Sequence, residues 1–150
     1  MSISIIRRPE MWIPILVLLI LGAHLNLTAL VPLQAGEAPP PWWVGGMLLW
    51  PFDVQTSTLL PPGETLDTLT PILAIASATS LLLAAAALLR RIVPSSWFPW
   101  LIIAGAVFSL MLQIIWFSGW AVLPVLVDAA LLWAVFGGHI TVVNLRGRSL

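Results

Sequence analysis

The chain has 150 residues, with six basic and six acidic groups and no net charge; 60% of its residues are hydrophobic and only 8% are charged. A soluble domain carries roughly 25% charged residues, so this chain cannot cover itself for water, and lipid is its expected solvent. The neutral balance argues against nucleic acid, which selects basic faces, and the lack of cysteine excludes disulfides, a thiol nucleophile and cysteine-ligated zinc or iron–sulfur centres.

Arg7, Arg8, Pro9 and Glu10 precede a nearly unbroken apolar run over about 11–31. A secretory signal has a shorter apolar core, about 7–15 residues, so this run is read as a retained first span. Pro14 falls in its first turn, where a missing N–H costs little, and Trp12 marks an interface. The segment 34–67 then holds four acids (Glu37, Asp53, Glu64 and Asp67) and no basic residue. Pro39-Pro40-Pro41 and Pro61-Pro62-Gly63 forbid one continuous helix through it. Between them, Trp42, Trp43 and Trp50 bracket a stretch too short to span and too apolar for a free loop. It is expected to lie at the interface, with its tryptophans at headgroup depth. The alternative is a lid over a cavity between the helices.

The second predicted span covers 69–89 and ends at Arg90-Arg91. Ala76, Ser80 and Ala84 recur every fourth residue and are expected to form a narrow groove for close helix approach. Ser77, Thr79 and Ser80 are expected to return their hydroxyls to the carbonyl one turn back. Pro94-Ser95-Ser96-Trp97 predicts a tight turn with a capping residue. The third span, 97–117, carries Gly105 and Ser109 on a small-residue face, and one strong polar group, Gln113. Ser118-Gly119 turns the chain into a fourth span, 120–143, with Asp128 inside it and Gly137-Gly138-His139 near its end, before Arg146 and Arg148.

All six arginines lie in the N-terminal arm, the second connection and the C-terminal tail. Four spans put those three segments on one side, which the positive-inside rule makes cytoplasmic. The expected fold is therefore all-α: a single polytopic membrane domain over 1–150, a four-transmembrane-helix bundle with both termini cytoplasmic and one long outer loop. Three spans after removal of a signal, or five with a re-entrant 43–50 segment, are the alternatives.

The stretch Ala76-Ser-Ala-Thr-Ser-Leu-Leu-Leu-Ala-Ala-Ala, then Trp97, Trp100, Ser109, Trp116 and Val125-Leu-Val-Asp128-Ala-Ala-Leu-Leu-Trp133, resembles small uncharacterised four-helix membrane proteins of bacteria that are loosely DoxX-like. The resemblance covers the last three spans. It implies a bundle in a bacterial inner (plasma) membrane and no activity that maps residue by residue. The long outer segment, rich in proline and tryptophan, departs from the compact loops of that pattern.

Polar residues inside the spans are the place to look for chemistry. A carboxylate near the centre of a span costs on the order of 2.5–3.5 kcal/mol on insertion scales. At 1.5 Å per residue, His24 and Asp128 each fall roughly 4–5 Å outside the midplane, with Asn26 and Gln113 farther out and Ser109 near the middle. The expectation is one polar layer of His24, Asn26, Gln113 and Asp128. Within it, an Asp128–His24 pair either relays a proton or holds a ligand group, or is a buried hydrogen-bonded pair that fixes helix register. A neutral Asp128 bonded to Gln113 serves the second reading. Two histidines at different depths and one acid do not make a metal's coordination sphere, nor a pair of haem ligands. No nucleophile elbow or phosphate-binding glycine loop is present, so no catalytic residue and no cofactor is expected. These features point to a non-enzymatic accessory or assembly subunit of a membrane complex, whose partners are the bilayer and other membrane subunits or further copies of itself. The competing readings are a small oligomeric proton-coupled transporter using Asp128 and His24, and a quinone-contacting oxidoreductase accessory, which only the resemblance implies.

Overall fold

The structure is a computed structural model that describes residues 11–32, 36–52 and 57–146. Arg7, Arg8, Glu10, Asp53 and Arg148 lie outside the described residues. The elements in chain order are α1 (Trp12–Leu27), α2 (Gly46–Leu49), β1 (Ser57–Thr58), α3 (Glu64–Leu88), α4 (Phe98–Ile115), β2 (Trp116–Phe117), α5 (Val122–Phe136) and α6 (Val142–Arg146). Short 3-10 turns at Thr28–Leu30, Trp42–Val44 and Ser95–Trp97 complete them.

The protein is mostly helical, and three of its helical stretches are long and apolar enough to cross a membrane: Trp12–Leu30, Glu64–Leu88 and Ser95–Ile115. The stretch expected as a fourth span, 120–143, is shorter than that. Its helix, α5, stops at Phe136 after about 22 Å. The cause is local. Gly138 N–H bonds the Trp133 carbonyl at 3.1 Å and Ile140 N–H the Ala134 carbonyl at 3.2 Å. The chain thus closes against its own last turn, where a Cβ at Gly138 would meet the Ala134 carbonyl oxygen at 2.8 Å. It then leaves through His139, which has φ +46°. α6 follows, with Val142 and Leu145 buried against the rest.

The second span begins earlier than expected, at Glu64 instead of 69. Glu64 and Asp67 suggested a loop, but acids in a first turn face the positive end of the helix dipole. Pro71 sits inside this helix. The Pro94–Trp97 turn forms, but no side chain caps it or α4; Trp97 N–H bonds the Pro94 carbonyl at 3.1 Å and Pro99 stands at the start of the helix. Proline at that place gives up only an N–H that would have no helical partner.

α1 packs against α3 and α5, and α4 packs against α3 and α5, so the four long helices close a ring. The centre of the ring is Leu81, fully buried. It lies between two glycines on neighbouring helices. A Cβ at Gly22 would come 3.0 Å from Leu81 Cδ1, and one at Gly105 would come 2.6 Å from Leu81 Cδ2. α3 buries Leu73, Ala74, Ser77, Ala78, Leu81, Ala84, Ala85 and Leu88. Of the expected Ala76–Ser80–Ala84 groove, only Ala84 is on that face; Ala76 and Ser80 are half-buried on its flank. Strict spacing of four drifts about 40° per step around a helix of 3.6 residues per turn. Ser80 returns its hydroxyl to the Ala76 carbonyl at 2.8 Å as expected, whereas Ser77 reaches across to the Gly105 carbonyl on α4 at 2.8 Å.

Each end of the ring is closed differently. At one end Phe52 is buried among Ala29, Leu73, Ala74 and Leu112, with Trp116 edge-on to it at 6.3 Å. The Ser118 hydroxyl donates to the Pro51 carbonyl at 2.7 Å, and β1 pairs antiparallel with β2. At the other end Arg146 donates to the Leu88 carbonyl at 3.3 Å, and its guanidinium lies 5.0 Å from the centre of the Trp12 ring. That contact supplies a donor to a free carbonyl at the α3 C-terminus and adds a cation–π contact to α1.

Candidate functional site

α5 buries Pro124, Val127, Asp128, Leu131 and Val135, so Asp128 is on its inward face. α4 buries Ser109 and Gln113, four residues apart and therefore on one face. These three side chains meet. Gln113 Nε2 donates to Ser109 Oγ at 2.8 Å and to Asp128 Oδ2 at 2.9 Å. Ser109 also stands beside the carboxylate. The result is a polar latch between α4 and α5, sealed from water: Asp128 is 1% exposed, Gln113 6% and Ser109 0%. The latch is not fully satisfied. Asp128 Oδ1 and Gln113 Oε1 are buried without a hydrogen-bond partner.

The expected Asp128–His24 pair does not form. His24 lies on the exposed side of α1, and its ring stands edge-on to Trp50 at 5.6 Å. Matching depth was not enough, because the two residues face different directions. Asn26 is buried on α1 at 1% exposure, but its Nδ2 donates to the Gly22 carbonyl at 2.8 Å, within its own helix. Its Oδ1 is unpartnered. Of the four expected members of the polar layer, the structure therefore bonds Gln113 to Asp128 and leaves His24 and Asn26 apart from them. Ser109 is the residue that joins instead, and its spacing from Gln113 is the sequence signal for it.

Trp42 and Trp43 are exposed, and their rings are edge-to-face at 6.1 Å. Trp50 is half-buried, and Leu49 of α2 packs on the main core. The segment thus lies along the outside of the ring and does not thread through it. His139 is exposed, and its carbonyl accepts from Asn144 Nδ2 at 3.3 Å.

One cleft borders the latch. It lies between α4 and α5, has a volume of about 400 Å³, and is walled by Leu110, Ile114, Phe117, Val122, Val125 and Leu126 together with Gln113, Ser118 and Ala121. Asp128 itself does not line it. Chemically, the arrangement can hold two helices in register and can offer a hydrogen-bond acceptor next to an apolar cleft. Comparison with known proteins adds no family to this geometry: no family model, curated protein or solved structure matches the chain.

Proposed function

We propose that the chain is a multi-pass protein of a bacterial inner membrane, a four-span bundle with both termini cytoplasmic, and that it acts without catalysis as an accessory or assembly subunit of a membrane complex. The observation that carries this reading is the sealed latch. An intramembrane acid is a functional-site hypothesis by default, yet Asp128 is 1% exposed and bonded to Gln113 on the next helix. The cleft beside it is walled by apolar side chains. A transporter needs a hydrated route to its acid, so these facts favour Asp128 as the fastening of α4 to α5. Large apolar side chains on the outward faces, among them Ile72, Ile75, Met111, Ile114 and Trp133, suit lipid or a neighbouring membrane helix.

The distribution of charge supports the orientation. Arg146 sits beside Trp12 and the α3 C-terminus, next to Arg90 and Arg91. Glu64 and Asp67 begin α3 at its opposite end. The arginine end is then cytoplasmic. Reporter fusions after Arg91 and after Leu150 are expected to read cytoplasmic, and one inserted at Gly63 external; an external C-terminus would overturn the span count. The function is tested by pull-down of the full chain in mild detergent. A larger membrane protein should co-purify in fixed ratio, and recovery of the chain alone at every detergent strength would reject the accessory role.

A further inference from the structure

We infer that the α4–α5 cleft is a binding site for a neutral membrane amphiphile whose head donates a hydrogen bond, an apolar chain ending in a hydroxyl. This stands apart from the accessory role and does not depend on it. Small-molecule sites are clefts of roughly 300–1,000 Å³, mostly apolar, with a few placed polar groups, and they occur between the helices of bundles. The cleft has about 400 Å³ and apolar walls.

Its two polar side chains define the head group. The Ser118 hydroxyl is committed: it donates to the Pro51 carbonyl and accepts from Trp120 N–H. Gln113 Nε2 is committed to Ser109 and Asp128. Gln113 Oε1 remains, an acceptor buried without a partner in a side chain that is 6% exposed. A buried unpaired acceptor is costly, and a donor brought by a ligand removes that cost. The carboxamide presents Nε2 to Ser109 and Asp128, which leaves Oε1 as its unused acceptor. No charged side chain lines the cleft, so a phosphate or carboxylate head finds no counter-charge and meets an acceptor oxygen. An alcohol meets its complement. Oε1 is shielded from water, and a side-chain shift of the kind common on binding admits the hydroxyl. The cleft edge continues into the exposed apolar residues Ile114, Val122, Val125 and Leu126, so the chain of the ligand enters from the lipid side.

The test uses the full chain in nanodiscs, with a diazirine-bearing hexadecanol as the photoreactive probe and mass spectrometry to locate the label. Label is expected on residues 110–126. Hexadecanol should compete about fivefold better than hexadecyl methyl ether, which accepts but cannot donate; that ratio corresponds to one ordinary hydrogen bond. Val125→Trp, which fills the cleft from an exposed position, should abolish the labelling. Gln113→Met should make alcohol and ether equal competitors. Equal competition in the unaltered protein, label spread evenly over the outward faces of α1 and α3, or a cleft protected because a second copy covers it would each overturn the proposal.

Discussion

Gly105→Ala is expected to destabilise the protein by about 1–3 kcal/mol, the usual cost of forcing an extra methyl into a packed core. The new Cβ would stand 2.6 Å from Leu81 Cδ2 and 2.7 Å from Leu81 Cγ. Leu81 cannot give way easily, because its Cδ1 already faces Gly22 on α1, where a Cβ would be 3.0 Å away. The change also has a favourable side, since glycine in a helix interior is worse than alanine by roughly 0.5–1 kcal/mol. The clash is the larger effect, so the sign is destabilising. Two further variants identify the cause. Gly119→Ala meets nothing within 4 Å and should stay within about 0.5 kcal/mol of the parent. Leu81→Ala alone removes a fully buried leucine and should cost about 2–5 kcal/mol. Combined with Gly105→Ala it should cost less than the sum, because the second methyl enters the space the first change opened. Unfolding in detergent measures all four. Additive losses would mean that Leu81 and Gly105 do not oppose each other across the α3–α4 contact.

This contact also shows how far the sequence could be read. The apolar runs and the proline and serine–glycine turns place the four long helices, because lipid-like composition and helix breakers are local signals. Their bounds are uneven: α4 matches to within two residues, α3 starts five residues early and α5 stops seven residues short. Packing faces are a finer matter. Ala76, Ser80 and Ala84 marked α3 as rich in small residues, but the face that packs steps by three and four through Ser77, Leu81, Ala84 and Leu88. A stripe of strict spacing four slides off it. The same distinction separates His24 from Asp128. Their depth follows from counting residues along each helix. Their direction depends on which side of α1 is covered, and Gly22, Ala23 and Asn26, not His24, are on the covered side. The small residues Gly22 and Ala23 were the available clue. Gly137-Gly138-His139 was the available signal for the end of α5, where the chain turns at His139 and Ile140 N–H bonds the Ala134 carbonyl, but the apolar residues that follow carried the expected span on to 143. Phe52 was legible only as part of an apolar segment, since its burial requires the outer connection to fold back over Leu73 and Leu112.

Gln113→Leu is expected to cost more than Asp128→Leu, and the double variant less than the sum of the two. The order follows from what each change leaves behind. Without Gln113, Asp128 keeps its 1% exposure and loses the amide that donates to Oδ2 at 2.9 Å, with only Ser109 left beside the carboxylate and Oδ1 already without a partner. A stranded buried group costs about 1–3 kcal/mol, more when it is charged, so the loss for Gln113→Leu should be about 3 kcal/mol. Without Asp128, Gln113 Nε2 still donates to Ser109 Oγ at 2.8 Å, and the loss should be nearer 1 kcal/mol. Removing both leaves two apolar side chains of suitable size facing each other, which is often neutral relative to a buried polar pair. The coupling energy between positions 113 and 128 should therefore be favourable and exceed the average of about 0.6 kcal/mol that double-mutant cycles give for hydrogen bonds between membrane helices. His24→Ala supplies the contrast. His24 lies on the exposed side of α1 against Trp50, so its coupling to Asp128→Leu should not exceed about 0.5 kcal/mol. Unfolding of the purified chain by graded denaturing detergent reads the whole set. A strong coupling between His24 and Asp128, or equal losses for the two single leucine variants, would show that the carboxylate is held by something other than the Gln113 amide.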